Sequence, residues 1–379
     1  MAVPSAASCE RPHFFSHATS STRPIAKRCR VICGSNRREL LATSLIGLGT
    51  SFEAPGAGAV VPGNVQAGGP LPAVPRTQGD QASNRTSGSA ALQDFQPFVK
   101  AGITTFDTAD IYGPSEELIG KYLASVWDRK DIHTQVLTKL CCFGDTMRRA
   151  AIFQEVEKSV DGSRLRLGVN SIDLLQLYWD DYNNKNYSVA RGAIKHVGVT
   201  NFDVPRLQEI LNTGAKVISN QVQYSLIDRR PEVAMTDFCQ QHGIKLLSYG
   251  TVAGGFLSDK YLGVQQREVR LDTSSKAKYA AVLGQAGGWD WLQELLQVLA
   301  GIAAKHRVSI ADVATKWVLD RTMVAGVIVG ARNANHVADH QQMCALQLDE
   351  EDLETIQVAL DNGVQPTSDC YTWERGGIW

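Results

Sequence analysis

Two residues five positions apart carry groups suited to moving a proton: Asp107 and Tyr112, in the segment Phe106-Asp107-Thr108-Ala109-Asp110-Ile111-Tyr112-Gly113. An apolar strand ends on the acid, and the tyrosine follows in a loop beyond the strand end, where both can be presented to a substrate. Lys139 follows the next apolar run. A buried tyrosine beside an ammonium has a stabilised phenolate and releases its proton more readily, and an aspartate paired to that ammonium holds it in place. Tyr112, Lys139 and Asp107 thus suit a proton donor, its tuner and its orienter. Each alone has an ordinary reading, as a turn residue, a solvated lysine or a helix cap. Their placement at consecutive strand ends is what joins them.

That placement rests on alternating short apolar runs and amphipathic stretches over residues 90–379. Strands are expected at 103–106, 135–138, 172–178, 196–199, 217–221, 245–248 and 324–329. Helices are expected at 91–100, 116–124, 152–167, 204–211, 231–242, 291–306 and 310–319. Repeated β then α calls for a parallel sheet in an α/β fold, and seven such strands over this length suit a (β/α)8 TIM barrel. The eighth is the difficulty. The first strand has no better candidates than Val60-Val61 or residues 71–74, both flanked by prolines. The crossover after the strand that starts at Ile172 is also stunted, because residues 179–193 leave room for one helical turn where a crossover takes at least about 10–12 residues with its helix. The barrel therefore reads as possibly incomplete. A doubly wound open sheet is the alternative, although the Gly-rich turn such folds place after their first strand is missing.

In a parallel barrel, functional groups gather where strands end at their C-terminal side. Read in order, those ends carry Asp107, with Tyr112 beyond it, Lys139, Tyr178-Trp179, Thr200-Asn201, Gln221, Tyr249-Gly250 and Gly330-Ala331-Arg332. From Ala91 onward the chain resembles the aldo-keto reductases, NADPH-dependent (α/β)8 barrels. The resemblance is carried by 102–109, Tyr112-Gly113 with Glu116 and Gly120, Thr138-Lys139, 171–176, 196–202, 220–225 and 248–255. It implies that Asp107, Tyr112 and Lys139 fill three places of a catalytic tetrad, with Tyr112 as general acid toward a carbonyl. It further implies that Asn201 and Gln221 bind the nicotinamide carboxamide and that Tyr249 stacks on its ring. An amide pair can read a carboxamide's donor and acceptor, and an aromatic face can hold a flat ring. Thr200 stands beside Asn201, and the loop from Gly250 through Ser258 to Lys260 offers donors for a pyrophosphate. Gly330 and Arg332, ahead of a helix at Asn335, suit the adenosine phosphate and favour NADP over NAD. Small aldehydes and ketones are the expected substrates.

The fourth tetrad place, a histidine in the family, is Tyr178 here. A phenol also donates a hydrogen bond to a carbonyl oxygen, with a different reach and pKa. His196 begins the following strand and reads as structural. Trp179, Tyr224, Phe143 and the tail Cys370-Tyr371-Thr372-Trp373 either line a substrate pocket or pack loops. The expected activity is carbonyl reduction, with a catalytically weak or inactive NADPH-binding regulatory or interaction protein on the same fold as the alternative.

Charge narrows the partners. Of 38 basic and 39 acidic residues, seven and three lie in the first 59, so the body carries 31 and 36, a balance of about −5. A mildly acidic body without a basic stripe argues against nucleic acid. Residues 1–59 read as a targeting leader: a Ser/Thr/Arg-rich stretch like an organellar transit peptide, then Arg37-Arg38, an apolar run over 40–48 and Ala57-Gly58-Ala59, like a twin-arginine signal. Together they point to a chloroplast, in the stroma or the thylakoid lumen. The 40–48 run is shorter than the about 20 residues of a transmembrane helix. Residues 60–89 are a low-complexity linker. The eight cysteines show no zinc spacing or disulfide framework, so no metal is expected. Adjacent Cys141 and Cys142 are either redox-active or small apolar fillers.

Overall fold

Each apolar run read as a strand is too short to span a helix's core contacts and, in the computed structural model, pairs with its neighbours in sequence. Described are residues 31–34, 89–126, 133–142, 153–179, 194–330 and 334–379. The strands are β1 (Val31–Gly34), β2 (Thr105–Asp107), β3 (Gln135–Cys142), β4 (Ile172–Trp179), β5 (Ile194–Thr200), β6 (Val217–Gln223), β7 (Lys245–Tyr249) and β8 (Val324–Gly330). They form a closed barrel in sequence order. Every pairing is parallel, including β1 with β8.

The helices are α1 (Ser89–Lys100), α2 (Ser115–Ser125), α3 (Phe153–Leu167), α4 (Val204–Asn212), α5 (Met235–His242), α6 (Ser274–Ala286), α7 (Gly288–His306), α8 (Ile310–Leu319), α9 (Val337–Ala345) and α10 (Glu350–Asp361). Local chemistry sets their ends. Asp203 caps α4 by accepting from the Arg206 N–H, and Ser309 with Asp312 forms a reciprocal capping box on α8. Gly243, in the left-handed region at φ 68°, ends α5. No helix among the described residues is long and apolar enough to cross a membrane.

The first strand corrects the sequence reading. It lies at Val31–Gly34, inside the stretch read as leader, and neither at Val60-Val61 nor at 71–74, which fall outside the described residues. Ile32 pairs with Thr105 on one side and Ile328 on the other. A Val-Ile-Cys run among arginines and serines has no periodicity to reveal it; what selects it is the pair of strand edges that closure must satisfy. With β1 at four residues and β2 at three, this is the thinnest part of the barrel. Apart from β1, the leader and nearly all of the linker lie outside the described residues. So does the crossover segment 180–193.

Three sequence landmarks tie the Tyr112 loop to its surroundings. Glu116, buried on α2, accepts from Thr138 Oγ1 on β3 at 2.6 Å and from Arg166 Nε on α3 at 2.7 Å. Thr108 and Ser115 share a buried hydroxyl hydrogen bond of 2.7 Å across the loop. Gly120 lets α2 approach α3, since a Cβ there would strike the Arg166 carbonyl oxygen and lie 2.9 Å from the Leu167 carbonyl carbon. Gly120→Ala is expected to lower stability by about 1–3 kcal/mol through overpacking against backbone that cannot yield. A lower urea midpoint with an unchanged slope would be the readout.

Candidate active site

Alternation along a strand puts every second side chain inside the barrel. Leu137, Lys139 and Cys141 of β3 therefore share a face, as do Leu174, Gln176 and Tyr178 of β4. The interior is layered accordingly. Leu137, Leu174, Leu247 and Ile328 pack together as an apolar floor with Tyr249. Above them lies a polar layer centred on Asp107, and above that a cluster of Ala109, Tyr112, Cys141 and Tyr178 at the mouth.

Asp107 closes β2 and accepts three hydrogen bonds. Lys139 Nζ donates to Oδ2 at 2.6 Å, while Gln176 Nε2 and Gln221 Nε2 donate to Oδ1 at 2.9 Å each. Lys139 is 0 % exposed and also donates to the Thr108 carbonyl oxygen at 2.9 Å. A buried ion pair is tolerated when its remaining lone pairs and protons are satisfied, and the two amides and the carbonyl do so here. The Lys139 Nζ lies 5.2 Å from the centre of the Tyr112 ring. Asp107, Tyr112 and Lys139 are thus brought together. One detail differs from expectation: Lys139 does not end its strand, because β3 runs on to Cys142. The ladder to β4 holds it there, with Lys139 opposite Gln176 and Cys141 opposite Tyr178.

Tyr178 is buried beside Tyr112 in the mouth cluster, so two phenols and a thiol face one another. Burial pushes the Cys141 thiol well above its ordinary pKa, and Cys141 and Cys142 are free and buried. That suits apolar fillers rather than reactive thiolates. Nearby Asp110 accepts from the Cys141 N–H at 3.2 Å to Oδ2, yet burial outweighs that bond and raises its carboxyl pKa from 3.8 to about 6. Between those values the folded chain keeps a proton the unfolded chain has released, so this group's contribution to stability falls as pH rises through the window. Asp110→Asn removes the titration. Relative to the parent it is expected to gain about 2–3 kcal/mol on going from about pH 4 to about pH 7, compared by urea denaturation at the two pH values.

The opposite wall carries the amides. Thr200 donates its hydroxyl to the Gln221 carbonyl oxygen at 3.1 Å, and the Asn201 N–H donates to the same oxygen at 2.9 Å. Asn201 takes a positive φ of 61°, which asparagine tolerates better than most residues. Its Oδ1 accepts from the hydroxyls of Tyr249 at 3.0 Å and Tyr371 at 2.8 Å. Two phenols on that oxygen fix which way round the Asn201 amide sits, with its donor nitrogen at the other end. Gln221 is the mirror case. Both hydrogens of its Nε2 are committed, to Asp107 Oδ1 and to Gln176 Oε1 at 2.8 Å, so it offers an acceptor. One donor and one acceptor side by side fit a carboxamide.

Gln176 and Arg230 were not singled out from the sequence as site residues, and Tyr371 was read there only as part of a tail that either lines a substrate pocket or packs loops. Gln176 hides in the apolar run Ile172-Asp173-Leu174-Leu175-Gln176-Leu177, where an amide on the inward face was the available signal. Tyr371 comes from the tail, which packing brings back over the barrel. Buried Arg230 donates to Asp228 Oδ1 at 2.8 Å and to Glu374 Oε2 at 2.6 Å, and sits 4.6 Å over the Trp379 ring. Burial opposes the Arg230 charge, but Asp228 and Glu374 outweigh it and hold its pKa well above the ordinary value. Lys278 of α6 lies 5.3 Å from the centre of the Tyr249 ring.

The remaining expected residues are spread more widely. Gly250 follows β7 at φ 71°, and a Cβ there would strike the Tyr279 hydroxyl. Ser258 donates to the Gly255 carbonyl oxygen at 2.6 Å within its own loop, and exposed Lys260 lies 5.5 Å over the Tyr261 ring. Gly330 ends β8, and the next helix begins with a short 3-10 turn at Ala334–His336. Arg332 and Phe143 lie outside the described residues. Trp179 and Tyr224 belong to the main apolar cluster, Tyr224 donating its hydroxyl to Glu232 Oε1 at 2.6 Å. His196 is exposed in the first half of β5.

Residues 77–361 match the model of the Aldo/keto reductase family. Among known proteins, the chain is similar to Aldo-keto reductase YhdN of Bacillus subtilis, 23% identical over 289 residues that span 74% of this chain and 86% of the relative. It is also similar to the chloroplastic pyridoxal reductase of Arabidopsis thaliana, 26% identical over 273 residues spanning 65% and 70%. Among solved structures, the glycerol dehydrogenase AKR11B4 from Gluconobacter oxydans aligns with a TM-score of 0.64 at 22% identity, covering 89% of this chain and 93% of that one. An aldo/keto reductase from Klebsiella pneumoniae, solved with NADP and acetate, gives 0.54 at 20% identity, covering 74% and 87%. At these identities the structures establish a shared barrel fold.

Proposed function

Because the chain belongs to the aldo/keto reductase family, we propose that it reduces an aldehyde or ketone to an alcohol with NADPH, Tyr112 supplying the proton. The observation that carries this reading is the Lys139 ammonium, fully buried, fixed by Asp107 and the Thr108 carbonyl, and set against the Tyr112 ring. A cation held there without freedom to turn away favours negative charge on the phenol oxygen as its proton departs. NADPH, when bound, supplies the hydride. The donor of Asn201 and the acceptor of Gln221 hold its carboxamide, and Tyr249 supports the ring. Tyr178, beside Tyr112, donates a hydrogen bond to the substrate oxygen in place of an imidazole. The Klebsiella relative's NADP supports the choice of cofactor, and the name of the Arabidopsis relative makes pyridoxal a sensible first substrate.

The test is NADPH oxidation by the purified full chain across pyridoxal, aromatic aldehydes and short aliphatic aldehydes. Turnover with at least one carbonyl, dependent on NADPH, is expected. The second reading, a nicotinamide-binding protein with little turnover, is favoured by the phenol at Tyr178. Tight NADPH binding with no carbonyl reduced would decide for it.

The composition of residues 1–59 supports delivery to a chloroplast, in the stroma or the thylakoid lumen. Since Val31–Gly34 closes the barrel, processing beyond Gly34 would leave β2 and β8 each with an open edge. Cytosolic fluorescence from a C-terminal fusion would refute the targeting.

A further inference from the structure

We propose that Gln176 is a positioning residue that fixes which end of the Gln221 amide faces the nicotinamide. The inference rests on the reading of Asn201 and Gln221 as the carboxamide site.

A glutamine amide can be placed either way round, and nothing in the Gln221 backbone chooses. Its neighbours do. Gln176 is 0 % exposed and donates its own Nε2 to Asp107 Oδ1 at 2.9 Å, which turns its Oε1 toward β6. Gln221 Nε2 donates to that oxygen at 2.8 Å and to Asp107 Oδ1 at 2.9 Å. Two acceptors therefore hold two hydrogens of one amide, and Oε1 is the end left to meet a ligand. The contact spans β5, where the register partner of Gln176 is Gly198.

The arrangement also joins the two halves of the site. Asp107 holds Lys139 with Oδ2 and both amides with Oδ1. Without Gln176, Asp107 would hold one hydrogen of the Gln221 amide, and the amide could turn to suit a different ligand.

The readout is discrimination between NADPH and its 3-acetylpyridine analogue, in which a methyl replaces the carboxamide NH2. Dissociation constants are measured by fluorescence, without turnover. The wild-type protein is expected to prefer NADPH by about ten-fold or more, because the analogue leaves the Gln221 acceptor unpaired. In Gln176→Leu, or Gln176→Met as the variant closer in shape, that preference is expected to shrink by about three- to ten-fold. A purely structural role would weaken both ligands in parallel and leave the ratio intact. An unchanged ratio in either folded variant overturns the proposal, as does equal affinity of the wild-type protein for both ligands, which needs no variant. Binding of neither ligand by the wild-type protein overturns the carboxamide site itself, and with it the role of Gln176.

Discussion

Tyr112→Phe is expected to lower kcat for carbonyl reduction by about 10²–10⁴-fold, the usual worth of a positioned general acid, while leaving the NADPH dissociation constant unchanged. The separation follows from the layering of the barrel. Tyr112 belongs to the mouth cluster with Ala109, Cys141 and Tyr178, whereas the wall proposed to hold the carboxamide is built from Asn201 and Gln221 with Tyr249 and Tyr371. Removing one hydroxyl leaves the ring's packing and the Lys139 cation in place, so stability should fall by no more than about 0.5–1.5 kcal/mol, the usual worth of a hydrogen bond. Steady-state kinetics beside direct NADPH titration separates the effects. Retention of full activity would exclude Tyr112 as the proton donor, and loss of NADPH binding in step with activity would move its role to the cofactor.

The largest stability effect is expected at Asp107. Asp107→Ala removes the partner of a fully buried ammonium and the common acceptor of two amides, leaving Lys139 Nζ with the Thr108 carbonyl oxygen. Breaking one side of a buried pair costs about 3–5 kcal/mol because the surviving charge is uncompensated. The double variant Asp107→Leu with Lys139→Met removes both charges and should recover much of that loss, without activity. Urea denaturation of single and double variants supplies the comparison. If the double variant is no more stable than the single, burial of the Lys139 charge is not the dominant cost.

Much of the barrel could be read from the chain because its signals are local. Apolar runs of β length, most of them followed by an amphipathic stretch, matched the seven strands from β2 onward to within a few residues. The misses share one physical origin. Val31–Gly34 has no period and takes strand form because β2 and β8 both need a partner. Lys139 was placed at a strand end because the apolar run before it stops there, whereas the ladder with β4 carries β3 on to Cys142.

The candidate site divides in the same way. Placement at consecutive strand ends singled out the acid, the phenol and the lysine as candidates, and the resemblance to the aldo-keto reductases implied the role of the two amides. Only the tertiary structure decided how they are aimed. Gln176 lies 45 positions from Gln221 and 69 from Asp107, and Tyr371 lies 170 from Asn201. Hydrogen bonds over such separations exist only after barrel closure and docking of the tail have brought their ends together. The orientation of an amide is a property of its neighbours in space, and a sequence carries no local signal for those neighbours.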